Sequence, residues 1–228
     1  MARYGVMQGI LKTAALTVVL AVLGAGTAAA AEIARPNLYK LPYSDVPGGK
    51  RTGGLLAETR GGHEAGYLVI DRVEVGKSEW VGVRVGKRPN DRIGWVRKQG
   101  VQIVKSRYLI DISLDRRTMS LFKGTRELWK KPVIIGKPST PTPRGLFAIH
   151  DFYRVRNDLR PWQIELTAHS EVLDTFMGGP ARVAIHGRHG SLRDPLGTRS
   201  SNGCIRALNR SLNSIERLAP IGTPVNIR

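Results

Sequence analysis

Cysteine is nearly absent from this sequence: Cys204 is the only one among 228 residues, which excludes any disulfide within the chain. Three states remain for its thiol, namely a buried inert group, an intermolecular bridge or a reactive nucleophile. Acidic residues are scarce as well, 18 against 36 lysines and arginines, for a formal net charge of +18. That surplus points to polyanionic partners, and its spread along the whole chain favours a generally cationic surface over a dedicated groove. Long apolar runs are missing too. The first one, Thr13 to Leu23, has about 11 residues where a membrane span needs about 20, and no later segment could cross a bilayer. Internal repeats and low-complexity tracts are absent apart from the alanines near residue 30.

What is present begins with an N-terminal pattern. Arg3 and Lys12 precede the apolar run, and small residues surround Ala29 and Ala31. This predicts a signal peptide over residues 1–31 with cleavage before Glu32, the alternative being an uncleaved anchor. With no cysteine following the run, a lipid-modified N-terminus is not expected. Residues 32–228 would then carry 34 basic and 18 acidic residues, about +16. Outside the cell the polyanions at hand are cell-wall polymers, lipid headgroups and peptides ending in carboxylates rather than nucleic acid.

Residues 36–104 are rich in glycine and in short β-branched runs such as "YLVIDRVEV", "EWVGVRV" and "RIGWVRK", without helical periodicity. They predict a small all-β barrel. Trp80 and Trp95, on strands flanking "GKRPNDRIG", give this stretch a resemblance to bacterial Src-homology-3-like modules, with both rings expected in the core rather than on a ligand. A second pattern starts at Tyr108. Alternation in "LIDISL" and "TMSLF", a "KGT" turn and the run "KPVIIG" predict a β-meander, and the proline-rich "KPSTPTPRGLFAI" a stiff connector. Helix is expected in two places only: about two turns over 170–177, and "NRSLNSIERLAP", with Asn209 as N-cap, Leu208, Leu212, Ile215 and Leu218 or Ala219 on one face, and Pro220 as its stop. The closing "GTPVNIR" predicts a strand.

The neighbours of Cys204 favour the reactive state. "SNGC" places small turn-forming residues before the thiol, so that backbone N–H groups can surround a developing oxyanion. The thiolate is the attacking species, and an imidazole within reach can take the proton. His186 is the candidate: it ends the apolar strand "ARVAIHG", and the carbonyl of Gly187 can orient its far nitrogen as a carboxylate would. His189, three residues on, forms a spacing that some metal sites use, but no further ligand completes a sphere. His63, His150 and His169 sit in structural or surface contexts.

The pair "IHG" and "SNGCIR", with 18 positions from His186 to Cys204, resembles the motif of the YkuD-type L,D-transpeptidases of bacterial cell walls. In that family a histidine and a spacer precede Ser/Thr-His-Gly-Cys. "TPTPRGLFAI", "LFKG" and "GTPVNIR" also resemble family segments, so the likeness covers roughly residues 107–228. It implies a β-sandwich catalytic domain with one or two short helices, preceded by the barrel, with domains at 36–104 and 107–228. It further implies Cys204 as nucleophile, His186 as base, and the amides of Gly203, Cys204 and Asn202 as oxyanion donors. Arg206 would bind a substrate carboxylate, although on so basic a chain a solvated surface charge is the plain alternative. The chain departs from the motif at Asn202, where the family places histidine. Since the base is the earlier histidine, activity is expected to survive.

The resemblance implies acyl transfer on peptidoglycan stem peptides, with neither metal nor organic cofactor, and carbapenem-type β-lactams as acylating inhibitors. A location in the periplasm or cell wall follows from the expected export. Water in place of the acceptor amine would give an L,D-carboxypeptidase from the same site. Two rivals have no acyl chemistry: a catalytically silent wall-binding protein, and a charge-driven nucleic-acid binder.

Overall fold

In the computed structural model the described residues are 30–154, 162–176, 178–188 and 194–228. Most of the expected signal segment, and His189, which is not expected to be a metal ligand, lie outside them. The chain folds into two principal sheets.

The first sheet contains β1 (Ala31–Pro36), β2 (Lys40–Ser44), β3 (Arg51–Leu56), β4 (Tyr67–Val75), β5 (Ser78–Arg84), β6 (Ile93–Arg97) and β7 (Val101–Ser106), in the order β3-β2-β6-β5-β4-β1-β7. It therefore spans both ends of the stretch expected at 36–104. Glu32, the residue expected to follow signal cleavage, already pairs with Lys105 across β1 and β7 and receives Arg72 Nη2 at 2.7 Å. The core of this sheet is small and aliphatic, built on Leu55, Val81, Val83 and Val96 around Tyr43. Trp80 and Trp95 correct the expectation made for them. Both are only partly buried and lie outside that core. Strand alternation explains this for Trp80: Val81 turns inward, and Trp80 turns out to meet the Arg97 guanidinium 5.4 Å from its ring.

The second sheet contains β8 (Tyr108–Ser113), β9 (Thr118–Lys123), β10 (Arg126–Pro132), β12 (Gly145–Arg154), β13 (Trp162–His169), β14 (Arg182–Gly187), β16 (Ile205–Ala207) and β17 (Pro224–Ile227), with β11 (Ile135–Gly136) and β15 (Arg199–Ser201) paired beside it. Its order is β10-β9-β8-β17-β12-β13-β14-β16. The expected meander is β8-β9-β10, closed at Gly124, whose φ of 60° suits a residue without Cβ. The expected closing strand β17 fills the middle of the sheet, parallel to β8 and antiparallel to β12.

Helix α1 (Asn209–Leu218) packs on β13 and β14, burying Leu212 and Ile215. Leu208, not Asn209, occupies its N-cap position, and no side chain caps it. The helix expected over 170–177 does not form over 170–176, and α1 is the one α-helix among the described residues. Tertiary contacts override local propensity there. Arg88, from the β5–β6 loop, takes the carbonyls of Ser170, Leu173 and Asp174 at 2.9, 2.6 and 3.1 Å, while Ser170 Oγ accepts the amides of Val172 and Leu173. These contacts hold the segment in bends against the loop that carries Arg88.

That contact is one of several that join the sheets. Asn90 Nδ2 and Oδ1 pair with the His169 carbonyl and amide, and Arg182 Nη2 donates to Gly86 O at 3.0 Å. An apolar patch joins them as well, where Ala31 and Leu68 meet Ala148. At Gly66 an added Cβ would lie 2.4 Å from Ile221 O, so the two backbones touch where only glycine fits.

Candidate functional site

Cys204 sits in the turn between β15 and β16, and His186 on β14. These strands run parallel, with Ile185 opposite Ile205 and His186 opposite Arg206. Ile164, Ile185 and Ile205 point into the core. Because side chains alternate along a strand, Cys204, Arg206, Ala184, His186, Gln163 and Glu165 belong to the other face of the sheet. The sequence separation of 18 is thus spent on a loop and a return strand, and the thiol and imidazole arrive on neighbouring strands of one face.

The imidazole is oriented by its own strand end. His186 Nδ1 lies 2.8 Å from Gly187 O, the acceptor expected from the sequence. A carbonyl only accepts, so in the neutral ring Nδ1 carries the proton and Nε2 the lone pair. That is the tautomer a general base on this face requires.

Opposing influences set the state of the thiol. Burial pushes the Cys204 thiol above its ordinary range, while a hydrogen bond from the Ala184 backbone and the charge of Arg206 favour the thiolate. Glu165, on the next strand over, pushes it up again. At rest the sulfur is a protonated thiol that needs a base.

The turn carrying Cys204 is held by residues that sequence reasoning missed. Ser201 Oγ donates to Cys204 O at 2.5 Å and accepts the Gly203 amide at 3.2 Å. Thr142, buried, donates to Gly203 O at 2.8 Å and accepts the Gly136 amide at 2.9 Å. Lys137 N donates to Ser201 O at 2.9 Å. The proline-rich loop expected as a connector is therefore a brace: its backbone and Thr142 clasp the turn, whose φ of 111° at Gly203 a side chain would strain. The signal for Thr142 was its place in "TPTPRG", which the sequence marked as stiff without showing what it stiffens.

Two expected site residues come out differently in detail. The Gly203 amide, expected to face an oxyanion, is engaged by Ser201 Oγ. Arg206 is 7% exposed, which rules out a solvated surface charge. Its Nη1 lies 3.1 Å from Asp194 Oδ2, an oxygen that also accepts Ser200 Oγ at 2.8 Å. A substrate carboxylate there would have to share or displace Asp194. Asn202 is exposed, and Gly187 is buried opposite Ala207.

The site face continues away from Cys204. Glu165 pairs with Ala184 on one side and Asp151 on the other, and Gln163 with His186 and Tyr153. Glu165 Oε2 lies 3.4 Å from Arg182 Nε, and burial raises its carboxyl against the pull of that guanidinium. Among the described residues, no group of three or more His, Cys, Asp or Glu side chains could hold a metal ion.

Comparison with known proteins gives concordant matches. The family model for the YkuD L,D-transpeptidase catalytic domain matches residues 107–227. YkuD of Bacillus licheniformis is 32% identical over 120 residues, which are 53% of this chain and 65% of that protein, and YkuD of Bacillus subtilis is 29% identical over the same extents. The match thus spans just under two thirds of these relatives. Among solved structures, L,D-transpeptidase 3 from Mycobacterium tuberculosis in complex with a faropenem-derived adduct is similar at 14% identity, with a TM-score of 0.44 over 66% of this chain and 91% of that one.

Proposed function

The chain belongs to the YkuD L,D-transpeptidase catalytic-domain family, and on that premise we propose that it cross-links peptidoglycan through an acyl-enzyme on Cys204, with His186 as general base. The observation that carries this reading is the bond from His186 Nδ1 to Gly187 O on a strand paired beside the nucleophile's own. It dedicates Nε2 to proton transfer.

In the proposed first step Nε2 takes the thiol proton and the thiolate attacks the carbonyl between an L-centre and a D-residue of a stem peptide. The tetrahedral oxyanion is met by backbone amides of the turn, foremost that of Cys204, and by Gly203 once its amide leaves Ser201 Oγ. Collapse breaks the C–N bond, and the imidazolium returns its proton to the leaving amine of the D-amino acid. An acceptor amine then attacks the thioester, loses a proton to His186 and forms the new amide, while the sulfur leaves as thiolate. Water in place of the amine gives a shortened stem and a carboxypeptidase. Arg206 attracts the carboxylate of the leaving D-residue through the position it shares with Asp194.

Export to the periplasm or cell wall goes with this substrate, and so does the positive charge, which retains the protein among anionic wall polymers. For those polymers the first sheet offers a cleft of about 550 Å³ lined by Lys40, Arg51 and Lys87 around Gly53 and Gly54. No cofactor enters the mechanism.

Mass spectrometry of products from a stem tetrapeptide, with and without an amine acceptor, tests the reaction. A cross-linked product together with the released D-amino acid supports transpeptidation. Release with only a shortened stem makes the enzyme a carboxypeptidase, and an untouched peptide overturns the enzymatic reading in favour of a silent wall-binding protein.

A further inference from the structure

Asp151 is charged and almost completely buried, at 1% exposure, on β12 of the second sheet. What it holds belongs to the first. Its Oδ1 accepts Thr59 Oγ1 at 2.6 Å and lies 3.2 Å from His63 Nδ1, and its Oδ2 accepts the Gly61 amide at 2.9 Å. The loop is also tied to itself, by Thr59 N to His63 O at 2.8 Å and Gly62 N to Thr59 O at 3.1 Å. An added Cβ at Gly61 would lie 2.5 Å from Phe152 O, so the loop backbone rests directly on β12. Burial alone would raise the Asp151 carboxyl, yet hydrogen bonds from Thr59, Gly61, Tyr153 and Phe152 hold it below its ordinary range.

Between the two residues that Asp151 holds is Arg60, exposed and cationic. The clamp fixes its backbone at the edge of the site face. In register, Asp151 adjoins Glu165, Glu165 adjoins Ala184, and Ala184 precedes the pair Ile185 and Ile205 that sets Cys204 beside it. The charge of Arg60 reaches Tyr153, Glu165 and Arg182 on that face. Three strand spacings, about 14 Å, separate the strands of Cys204 and Asp151. An extended peptide covers that distance in about four residues.

We propose that the first sheet completes the substrate-binding face of the second, with Arg60, set in place by the Asp151 clamp, binding a carboxylate of the peptide that lies across that face. The proposal rests on the reading of the site as a stem-peptide enzyme. Its chemistry is specific: a planar guanidinium at a fixed backbone position prefers a carboxylate to the neutral amide of the same shape. A stem peptide offers two such groups, that of its acidic residue and its C-terminus; the C-terminus is the group assigned to Arg206, so Arg60 takes the carboxylate of the acidic residue.

The test is calorimetric titration of the full chain carrying Cys204→Ala, which stops turnover, with three synthetic stem tetrapeptides. One has both carboxylates free, and each of the others has a single carboxylate replaced by carboxamide. The parent is expected to bind the free peptide about tenfold tighter than the peptide whose acidic residue carries the carboxamide, while the C-terminal carboxamide reports Arg206. Arg60→Ala should erase that difference, Arg60→Lys should keep only part of it because the ammonium retains the charge but not the planar fork, and Thr59→Val, which removes a clamp bond but not the charge, should reduce it. With Cys204 intact, the rate of alkylation by iodoacetamide should be the same in Arg60→Ala as in the parent. Equal binding of all three peptides by the parent, or an equal loss for all three in Arg60→Ala, overturns the proposal. If the discrimination depends on Arg60 but the chain with Cys204 intact makes no product, the reaction assignment fails and the binding site stands. If product forms and Arg60→Ala binds as the parent does, the reverse holds.

Discussion

The two sheets use their polar residues in opposite ways. In the second, one face is a continuous apolar core from Ile110 to Ile227, and the other carries Cys204, His186 and Glu165. In the first, the core is small, and the polar groups that matter structurally are on loops that reach outward: Thr59 and Gly61 to Asp151, and Arg88 and Asn90 to the segment after β13. The second sheet thus builds a site on strands, where packing fixes side-chain direction, and the first acts on that site through its turns. The two proposed catalytic side chains are 18 residues apart along the chain, and the neighbouring strands β14 and β16 bring them to one face.

This contrast can be broken at several points. The largest effect belongs to the base. His186→Gln should lower the rate of acyl transfer by about 10²- to 10⁴-fold while leaving the melting temperature nearly unchanged, as single-turnover kinetics and thermal denaturation would show. A loss confined to stability would move His186 from the site to the scaffold.

The contact between the sheets should respond to acid. Burial first, and then the charge of Arg182, depress His150 and His169 to about 4 from the ordinary 6.5. Both are neutral in the fold at pH 6, whereas the unfolded chain protonates near 6.5. Their contribution is therefore fully present above pH 6.5 and is lost as pH falls towards 4, by up to about 3 kcal/mol for each histidine. Urea denaturation between pH 7 and 4 should show this decline, and it should flatten in His169→Gln. A flat parent profile would mean that these histidines are solvated.

A smaller effect is expected at the brace. Thr142→Val keeps the shape and removes a buried hydroxyl that serves both Gly136 and Gly203, at a cost of about 1–3 kcal/mol. Denaturation and turnover should fall together, because the same turn carries Cys204. The smallest belongs to the first sheet. Trp80→Ala removes a half-exposed ring and a cation–π contact, which should cost about 1 kcal/mol or less and leave turnover unchanged. A drop of several kcal/mol would return Trp80 to the core where sequence reasoning expected it.

Legibility in the sequence followed the range of the interaction. The meander, the closing strand and the α1 face were readable because alternation and helical spacing are local. The Gly187 acceptor and the placing of Cys204 and His186 on one face had a local trace, in the small residues around a lone thiol and the histidine ending an apolar strand. The rest depends on contacts distant in sequence. Residues 170–176 have helical composition, and only Arg88, more than 80 positions earlier, shows why they stay in bends. Ser201 and Thr142 look like ordinary turn residues until the loop closes over the turn. Arg206 was expected to meet a substrate carboxylate, with a solvated surface cation as the alternative, and its burial beside Asp194 has no signature in spacing. Trp80 failed for a different reason: a tryptophan in a strand shows its bulk but not which way it faces.

The claim at the centre is that Cys204 is acylated and that His186 makes it possible. Intact-protein mass spectrometry after incubation with a carbapenem tests it most directly. The account predicts a single-adduct mass increase on the parent chain, none on Cys204→Ala, and formation slowed by at least about a hundredfold on His186→Gln. No adduct on the parent, or one that persists in Cys204→Ala, would contradict it.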